Sequence, residues 1–83
     1  MKVRVRYFAA VREALGPEEH AEIAAGSDIA ALRDALVARG GRHAEALGRQ
    51  RVLRSACNLA LCDEATALAD GDEVGFFPPL TGG

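Results

Sequence analysis

The spacing of the apolar residues changes twice along this 83-residue chain, and this change restricts the possible folds more than any other feature. Residues 2–8 and 18–25 alternate between apolar and polar positions, which is the pattern of a half-buried β-strand. Residues 29–37 carry apolar side chains at helical intervals. Residues 52–62 and 74–77 are mostly apolar and short, so they are again strand-like. The predicted order is therefore strand, strand, helix, strand, strand.

Short polar and glycine-containing segments separate these elements. Residues 27–28, Ser-Asp, can cap the N-terminus of the helix, and residues 40–41, Gly-Gly, are predicted to end it. A short helical turn is expected at residues 9–15, and residues 43–49 can add another. Residues 78–79, Pro-Pro, end the last strand because proline lacks the N–H that a strand ladder needs.

This order of elements predicts an α+β fold. A mixed sheet with one main helix across one face is the economical way to pack two strands, a helix and two further strands. This is the β-grasp arrangement of the ubiquitin-like fold. We expect residues 1–79 to form the β-grasp domain and residues 80–83 to form a flexible C-terminal tail. Because β-grasp domains serve many ends, the function must be argued from a site.

The composition favours a small globular domain over a complete enzyme. The chain is 49% apolar and 27% charged, which is ordinary for a soluble domain. So small a domain has few side chains left to line a deep pocket, which favours a carrier, a binding module or a subunit. No apolar segment is long enough to span a membrane. The first residues lead straight into a strand pattern without the apolar segment of a signal peptide, so we expect a cytoplasmic protein with reduced thiols.

The charges argue against a nucleic-acid partner. The net charge is −2, although five arginines lie in the middle of the chain: Arg39, Arg42, Arg49, Arg51 and Arg54. These arginines could bind phosphate or could simply form a solvated surface. No aromatic residue lies between them to stack on bases, so we favour the solvated surface and expect neither nucleic acid nor membrane as a partner.

The cysteines and histidines form no recognisable metal or redox motif, and we predict no metal site. Cys57 and Cys62 are five residues apart, which on a single strand places them on opposite faces and predicts that they stay unpaired. His20 and His43 have no ligand-like neighbours in the sequence, so both are predicted at the surface or at an edge.

The C-terminal tail is the strongest candidate for chemistry, since the sequence holds no Ser-His-Asp set and no glycine-rich phosphate loop. Pro78 and Pro79 favour an extended course that leads the tail away from the sheet. The four residues that follow can reach about 13 Å. Gly82 and Gly83 lack a Cβ and can enter a narrow channel, with Thr81 before them. Adenylation of the Gly83 carboxylate would make it an acyl electrophile, which a sulfur donor could convert to a thiocarboxylate.

Several segments resemble the ubiquitin-like sulfur carriers that form the small subunit of molybdopterin synthase, and the resemblance covers essentially the whole chain. Residues 7–13, Tyr-Phe-Ala-Ala-Val-Arg-Glu, resemble the family's first strand and the helix after it. Residues 28–33, Asp-Ile-Ala-Ala-Leu-Arg, resemble the start of its main helix. Residues 70–83 are the closest match, and their Phe-Phe-Pro-Pro spacer is the specific part. Asn58 also matches, whereas Cys57 stands where the family usually has valine.

The resemblance implies a mechanism that needs three partners. An adenylyltransferase similar to ubiquitin-activating enzymes would use ATP and magnesium to adenylate Gly83, and a sulfurtransferase would supply the sulfur. The thiocarboxylate would then enter the large subunit of molybdopterin synthase and give its sulfur to cyclic pyranopterin monophosphate, forming the dithiolene of molybdopterin. The chain would bind no cofactor tightly, the pterin-binding residues would belong to the large subunit, and the complex would be a heterotetramer.

The resemblance also implies contact residues for these partners. Leu61 and Phe77 occupy family positions that meet the activating enzyme, Arg12 matches a further contact position, and Pro78 and Pro79 lead into the tail. Each of the first three has an ordinary alternative: Leu61 or Phe77 could be a core residue, and Arg12 could form a surface ion pair. Neighbours on a strand face opposite ways, so either Phe76 or Phe77 must be in the core.

Three other functions remain open on the sequence. The chain could carry sulfur for thiamine or tRNA thiolation, it could be a ubiquitin-like modifier attached to protein lysines, or it could be a plain interaction module. The Phe-Phe-Pro-Pro spacer argues against the first of these.

Overall fold

The computed structural model describes residues 1–79. Over this part of the chain there are five strands and three helices, in the order β1 (Lys2–Tyr7), α1 (Ala9–Leu15), β2 (Glu18–Glu22), α2 (Ile29–Val37), α3 (Gly41–Leu47), β3 (Arg54–Cys57), β4 (Ala60–Cys62) and β5 (Glu73–Phe77). None of the helices in residues 1–79 combines the length and the apolarity that crossing a bilayer requires.

The strands form one mixed sheet in the order β2-β1-β5-β3-β4. β1 and β5 are parallel neighbours at its centre, with Tyr7 opposite Phe76. The remaining pairs are antiparallel, including the predicted pair of β1 and β2. A central parallel pair flanked by antiparallel strands confirms the α+β class and the β-grasp prediction.

The core lies between one face of this sheet and the helices. Alternate residues of β1, namely Val3, Val5 and Tyr7, are almost fully buried, as the sequence pattern predicted. Val74 and Phe76 of β5 continue this buried surface across the sheet. The helices cover it with Val11, Ile29, Leu32, Leu36 and Leu47. Phe76 is therefore the core residue of the Phe-Phe pair, and the opposite face of the sheet is left open.

The helical layer contains three helices, where the sequence predicted one main helix, a helical turn at residues 9–15 and a possible one at residues 43–49. α2 begins as expected, because the Asp28 side chain accepts a hydrogen bond from the Ala31 N–H at 2.8 Å. It ends at Val37 with Ala38 as its C-cap, so the predicted end at residues 40–41 was too late. Gly40, at φ +74°, is the N-cap of α3. α1 and α3 are short helices with one buried apolar residue each, and α3 packs against both α1 and α2.

The segment at residues 52–62 is a hairpin and not the single strand that was predicted. Asn58 and Leu59 have φ values of 50° and 70°, so the chain reverses there through a two-residue turn. The Asn58 side chain fixes this turn by accepting from the Glu73 N–H and donating to the Asp72 carboxylate, both at 3.0 Å. Residues 52–62 are mostly apolar throughout and the turn lacks glycine, which is why the sequence pattern did not reveal the hairpin.

The hairpin also changes the relationship between the two cysteines. Cys57 pairs with Ala60 and Cys62 pairs with Ser55, so the two thiols lie on the same face of the sheet in a diagonal arrangement. Diagonal neighbours are separated by about 7–8 Å, which is too far for a disulfide. Both cysteines are free as predicted, but the predicted reason, opposite faces of one strand, was wrong.

Candidate functional site at the base of the tail

Thr81, Gly82 and Gly83 lie outside the described residues, so the site is described here through the base of the tail. β5 runs through the middle of the sheet and ends at Phe77 between β1 and β3. Pro78 and Pro79 follow it and are half-buried. The strand that leads into the tail is therefore held on both sides by hydrogen-bonded neighbours, which gives the tail a fixed point of departure.

Leu61 and Phe77 lie together on the open face of the sheet. Phe77 is opposite Arg54, Ala56 is opposite Leu61, and residues two apart on a strand share a face. The side chain of Leu61 is exposed, with 72% of its surface accessible, and Phe77 is half-buried. Neither is a core residue, so both are available to a partner protein.

Phe8 belongs to the same surface and was missed in the sequence. Its ring meets that of Phe77 edge-on, with centroids 6.3 Å apart and planes at 86°. The Arg6 guanidinium lies 5.7 Å from the centre of the Phe8 ring. Phe8 crosses over Gly75, where an added Cβ would come within 3.1 Å of its Cε2 atom. The signal was present in the alternation of β1, because Phe8 has the opposite parity to Val3, Val5 and Tyr7. We name Phe8, Phe77 and Leu61 the aromatic patch.

Ion pairs cover the rest of the open face. Arg4 lies 2.5 Å from Glu18 and 3.6 Å from Glu73, and Arg6 lies 3.8 Å from Glu73. The hydrogen bond between Arg4 and Glu18 raises the pKa of the arginine and lowers that of the carboxyl. These groups are solvent-exposed, so the pairs add little stability. They neutralise the β1–β2 side of the face and leave the aromatic patch, beside the tail, as its apolar part.

Two grooves flank the base of the tail. The helical groove, about 680 Å³, lies against α1 and α3 and includes Pro78 in its wall. The hairpin groove, about 390 Å³, lies against β3 and β4 and includes Leu61 and Pro79. Val52 and Leu53 line both, so this dipeptide forms the wall between them. The two predicted spacer prolines therefore lie in separate grooves on either side of one wall.

Arg12 is placed apart from the aromatic patch. It lies exposed on α1, which packs against the other face of the sheet, and it forms no ion pair with any residue in the 1–79 range. The structure thus brings Leu61, Phe77, Pro78 and Pro79 together around the tail, whereas Arg12 could reach only a partner that extends around the helical side.

The arginines in the middle of the chain do not form one basic surface. Arg39 bonds Glu19, Arg49 bonds both Asp34 and Glu64, and the Arg51 Nε donates to the Glu45 carbonyl oxygen at 3.0 Å. Carboxylates and carbonyl groups on different elements thus occupy most of these guanidinium groups, which agrees with a structural and solvated surface.

The described side chains do not assemble a catalytic centre of their own. Within residues 1–79 no group of three histidine, cysteine or acidic side chains comes together as a metal site. Burial and the nearby Asp72 carboxylate raise the pKa of the Cys57 thiol, which disfavours the reactive thiolate. His43 is half-buried with its Nε2 2.7 Å from a Glu19 oxygen, which agrees with the predicted position at the surface or at an edge.

The fold and the site together define a class: a ubiquitin-like β-grasp domain whose central strand leads through a proline pair into a short C-terminal tail. The chain belongs to the ThiS family, whose model matches residues 5–83. It is 41% identical to the molybdopterin synthase sulfur carrier subunit of Escherichia coli (strain K12), over 98% of this chain and 99% of that one.

Two solved structures show the same fold. One is the complex of subunits 1 and 2 of the molybdopterin-converting factor from Helicobacter pylori 26695, with 32% identity, full coverage of both chains and a TM-score of 0.69. The other is small archaeal modifier protein 1 from H. volcanii, with a TM-score of 0.78 over 95% of this chain and 98% of that one. Its identity of 22% makes it a match of fold alone.

Proposed function

We propose that this chain is the sulfur carrier subunit of a molybdopterin synthase and that the carboxylate of Gly83 is its reactive group. The observation that carries the proposal is the 41% identity to the molybdopterin synthase sulfur carrier subunit of Escherichia coli, over nearly the full length of both chains. The family match extends through Gly83, so it includes the tail as well as the domain.

The chemistry assigns the activation to one partner and the sulfur to another. The Gly83 carboxylate attacks the α-phosphate of ATP in an adenylyltransferase, with magnesium bound there, and pyrophosphate leaves. Sulfur that a sulfurtransferase delivers at the oxidation level of sulfide then attacks the acyl carbon, AMP leaves, and Gly83 becomes a thiocarboxylate. These steps require ATP, so the cytoplasm is the compartment in which we place the protein.

The synthase reaction takes place in the large subunit. The thiocarboxylate sulfur bonds to cyclic pyranopterin monophosphate, and water then cleaves the acyl–sulfur bond, so the sulfur stays on the pterin and the carrier returns with a carboxylate. The residues that bind the pterin lie in the large subunit, since the described part of this chain offers shallow grooves and no assembled catalytic centre. We further propose a heterotetramer of two small and two large subunits.

The described residues act by presenting the tail. β5 holds Phe77 in the centre of the sheet, and the proline pair extends the chain outward from there. The aromatic patch is the apolar part of the open face at the end of β5, and it provides a contact by which a partner can bind the domain while the tail enters its active site. Leu61 and Phe77 are the central contact residues, Phe8 extends them, and Arg12 is a peripheral contact.

Intact mass spectrometry tests the proposal. The chain is incubated with ATP, magnesium, the adenylyltransferase of the same organism and a sulfur donor. We expect the mass change of one oxygen replaced by sulfur, located at Gly83 by fragmentation. A variant without Gly82 and Gly83 is the control and should show no change. An unchanged wild-type mass, with an adenylyltransferase active on another carrier, would contradict the proposal.

Cell phenotypes separate this function from the other three. Deleting the gene should abolish molybdoenzyme activity and leave thiamine synthesis and tRNA thiolation intact. A protein modifier would instead give isopeptide adducts on other proteins that depend on Gly83. A plain interaction module would tolerate the loss of Gly82 and Gly83.

A further inference from the structure

Arg33 is a buried charged residue to which the proposed function gives no role. It closes the 28–33 segment that resembles the family's main helix, and only 3% of its surface is accessible. Its guanidinium makes four hydrogen bonds: Nε to the Leu47 carbonyl oxygen at 2.6 Å, Nη2 to the carbonyl oxygens of Gly48 and Arg51 at 2.8 and 2.9 Å, and Nη1 to Glu64 at 2.7 Å. These partners satisfy the buried charge and join Arg33 to three other parts of the chain.

Three of these bonds hold the chain where it leaves α3. Leu47 is the last residue of α3 and Gly48 is its C-cap, so their carbonyl groups lie at the negative end of the helix dipole. Arg51 lies three residues further on, and its own N–H bonds back to the Gly48 oxygen at 2.9 Å. One guanidinium thus fixes the α3–β3 connection at two points.

The fourth bond ties this connection to the segment after β4. Glu64 accepts from Arg33 with one oxygen and from Arg49 with the other, and Arg49 also reaches Asp34. Burial would raise the pKa of Glu64, but the hydrogen bonds from Arg49 and Arg33 lower it below its usual value. The carboxylate therefore stays charged at neutral pH and closes a network from α2 through residues 48–51 to residue 64.

The segment that this network holds leads directly into the wall between the two grooves. Residues 50–53 line the helical groove, and Val52 and Leu53 also line the hairpin groove together with Glu64. Val52 is 76% exposed, although it is apolar and lies beside both spacer prolines. We call this wall, formed by Val52 and Leu53, the ridge. A partner that takes up the tail must pass Pro78 and Pro79, and it meets the ridge there.

We infer that Arg33 is a positioning residue for partner recognition: it fixes the ridge between the two grooves so that the large synthase subunit can pack on it while it receives the tail. This inference rests on the proposed function for the identity of the partner. The role of Arg33 in holding the chain that leads into the ridge rests on its four hydrogen bonds and is independent of the partner's identity.

The first test requires no partner. Lysine keeps the charge of Arg33 but cannot reach three carbonyl oxygens and a carboxylate at once. In Arg33→Lys we expect amide hydrogen exchange at Gly48 and Arg51 to accelerate about tenfold more than exchange in β1. Arg39→Lys is the matched control, because Arg39 lies outside both grooves, and it should leave these amides unchanged. Equal acceleration everywhere, or none, would overturn the positioning role.

The second test is a double-mutant cycle with the large subunit of the same organism, measured as the Kd of the complex. We expect Arg33→Lys to raise the Kd about tenfold in the wild-type background. In a Val52→Ala background the same change should raise it about twofold or less, because the ridge no longer supplies its contact. A merely structural role would give the same factor in both backgrounds, and that result would refute the inference.

The two tests separate the inference from the proposed function. If wild-type chain fails to bind the large subunit and to acquire sulfur, the proposed function is wrong, and the exchange measurement still decides whether Arg33 positions the ridge. If wild-type chain binds and the cycle shows no coupling, the proposed function stands and the inference fails.

Discussion

Glu19 connects side chains from three elements at the edge of the core. It accepts from the Tyr7 hydroxyl of β1 at 2.7 Å, lies 2.7 Å from His43 Nε2 of α3, and bonds Arg39 beyond α2. Burial would raise the pKa of Glu19, but the hydrogen bonds from His43, Tyr7 and Arg39 lower it below the ordinary 4.5. Burial and the hydrogen bond to Glu19 raise the pKa of Tyr7, so its hydroxyl stays protonated and acts as a donor.

A pH dependence follows from this cluster. A carboxyl whose pKa is lowered by folding stabilises the folded state above its unfolded pKa and loses that effect as pH falls through the folded pKa. We expect Glu19→Gln to lower the free energy of unfolding by about 2 kcal/mol at pH 7. The deficit should shrink as pH falls below about 4.5. Urea unfolding at several pH values measures this, with the exposed Glu22→Gln as control. A pH-independent deficit would contradict the account.

The contact between Phe8 and Phe77 gives a second prediction at this scale. Phe8→Ala removes the edge-on contact between the Phe8 and Phe77 rings. Because Phe8 is already 39% exposed, the free energy of unfolding should fall by only about 1 kcal/mol. The larger effect should be a raised KM for the adenylyltransferase with an unchanged kcat, since Phe8 belongs to the proposed docking surface and carries no reacting atom. Glu22→Gln should alter neither constant. A fall in kcat alone would show that Phe8 is not a docking residue.

At the scale of elements, the β3–β4 hairpin shows what the sequence could and could not reveal. The cap of α2 was predictable because Asp28 bonds a residue only three positions away. The hairpin was not, because its turn uses Asn58 and Leu59, and Asn58 is held by Asp72 and Glu73 from a distant part of the chain. α3 was underestimated because Arg33, on another helix, holds its C-terminal end.

The turn predicts a stabilising substitution. Leu59 is 86% exposed and adopts a φ of 70°, which costs a leucine energy that glycine avoids. Leu59→Gly creates the Asn-Gly turn that two-residue hairpins prefer, and we expect a gain of about 1 kcal/mol in the free energy of unfolding. Leu59→Ala removes the same side chain without relieving the backbone, so it should give no gain. Denaturant titration of the two variants measures the difference, and a gain in Leu59→Ala alone would contradict the assignment.

At the scale of the whole molecule, strand order brings the site together. Phe8 comes early in the chain, and Leu61 and Phe77 come late. The parallel pairing of β1 with β5 brings Phe8 beside Phe77, and the pairing of β5 with β3 and of β3 with β4 places Leu61 on the same face. The sequence predicted Leu61 and Phe77 as contacts through the family resemblance. It could not show that Phe8 joins them, because that requires knowing which strands are neighbours.

The same architecture separates stability from function. Within residues 1–79 the last core residue is Phe76, and β5 ends at Phe77. Removing Gly82 and Gly83 should therefore leave the denaturation midpoint unchanged while it abolishes sulfur loading. Circular dichroism and intact mass on one sample measure both. A deletion that also unfolds the domain would place the tail in the structural core and contradict this account.

The central claim is that Gly83 carries sulfur to a pterin bound in the large subunit. A single-turnover reaction tests it most directly: chain carrying isotopically labelled sulfur at Gly83 is mixed with the large subunit and cyclic pyranopterin monophosphate, and both the protein and the pterin are analysed by mass spectrometry. The account predicts that the label moves into the pterin while Gly83 returns to a carboxylate. Label that stays on Gly83, or a Gly83 that becomes amide-linked to another protein, would contradict it.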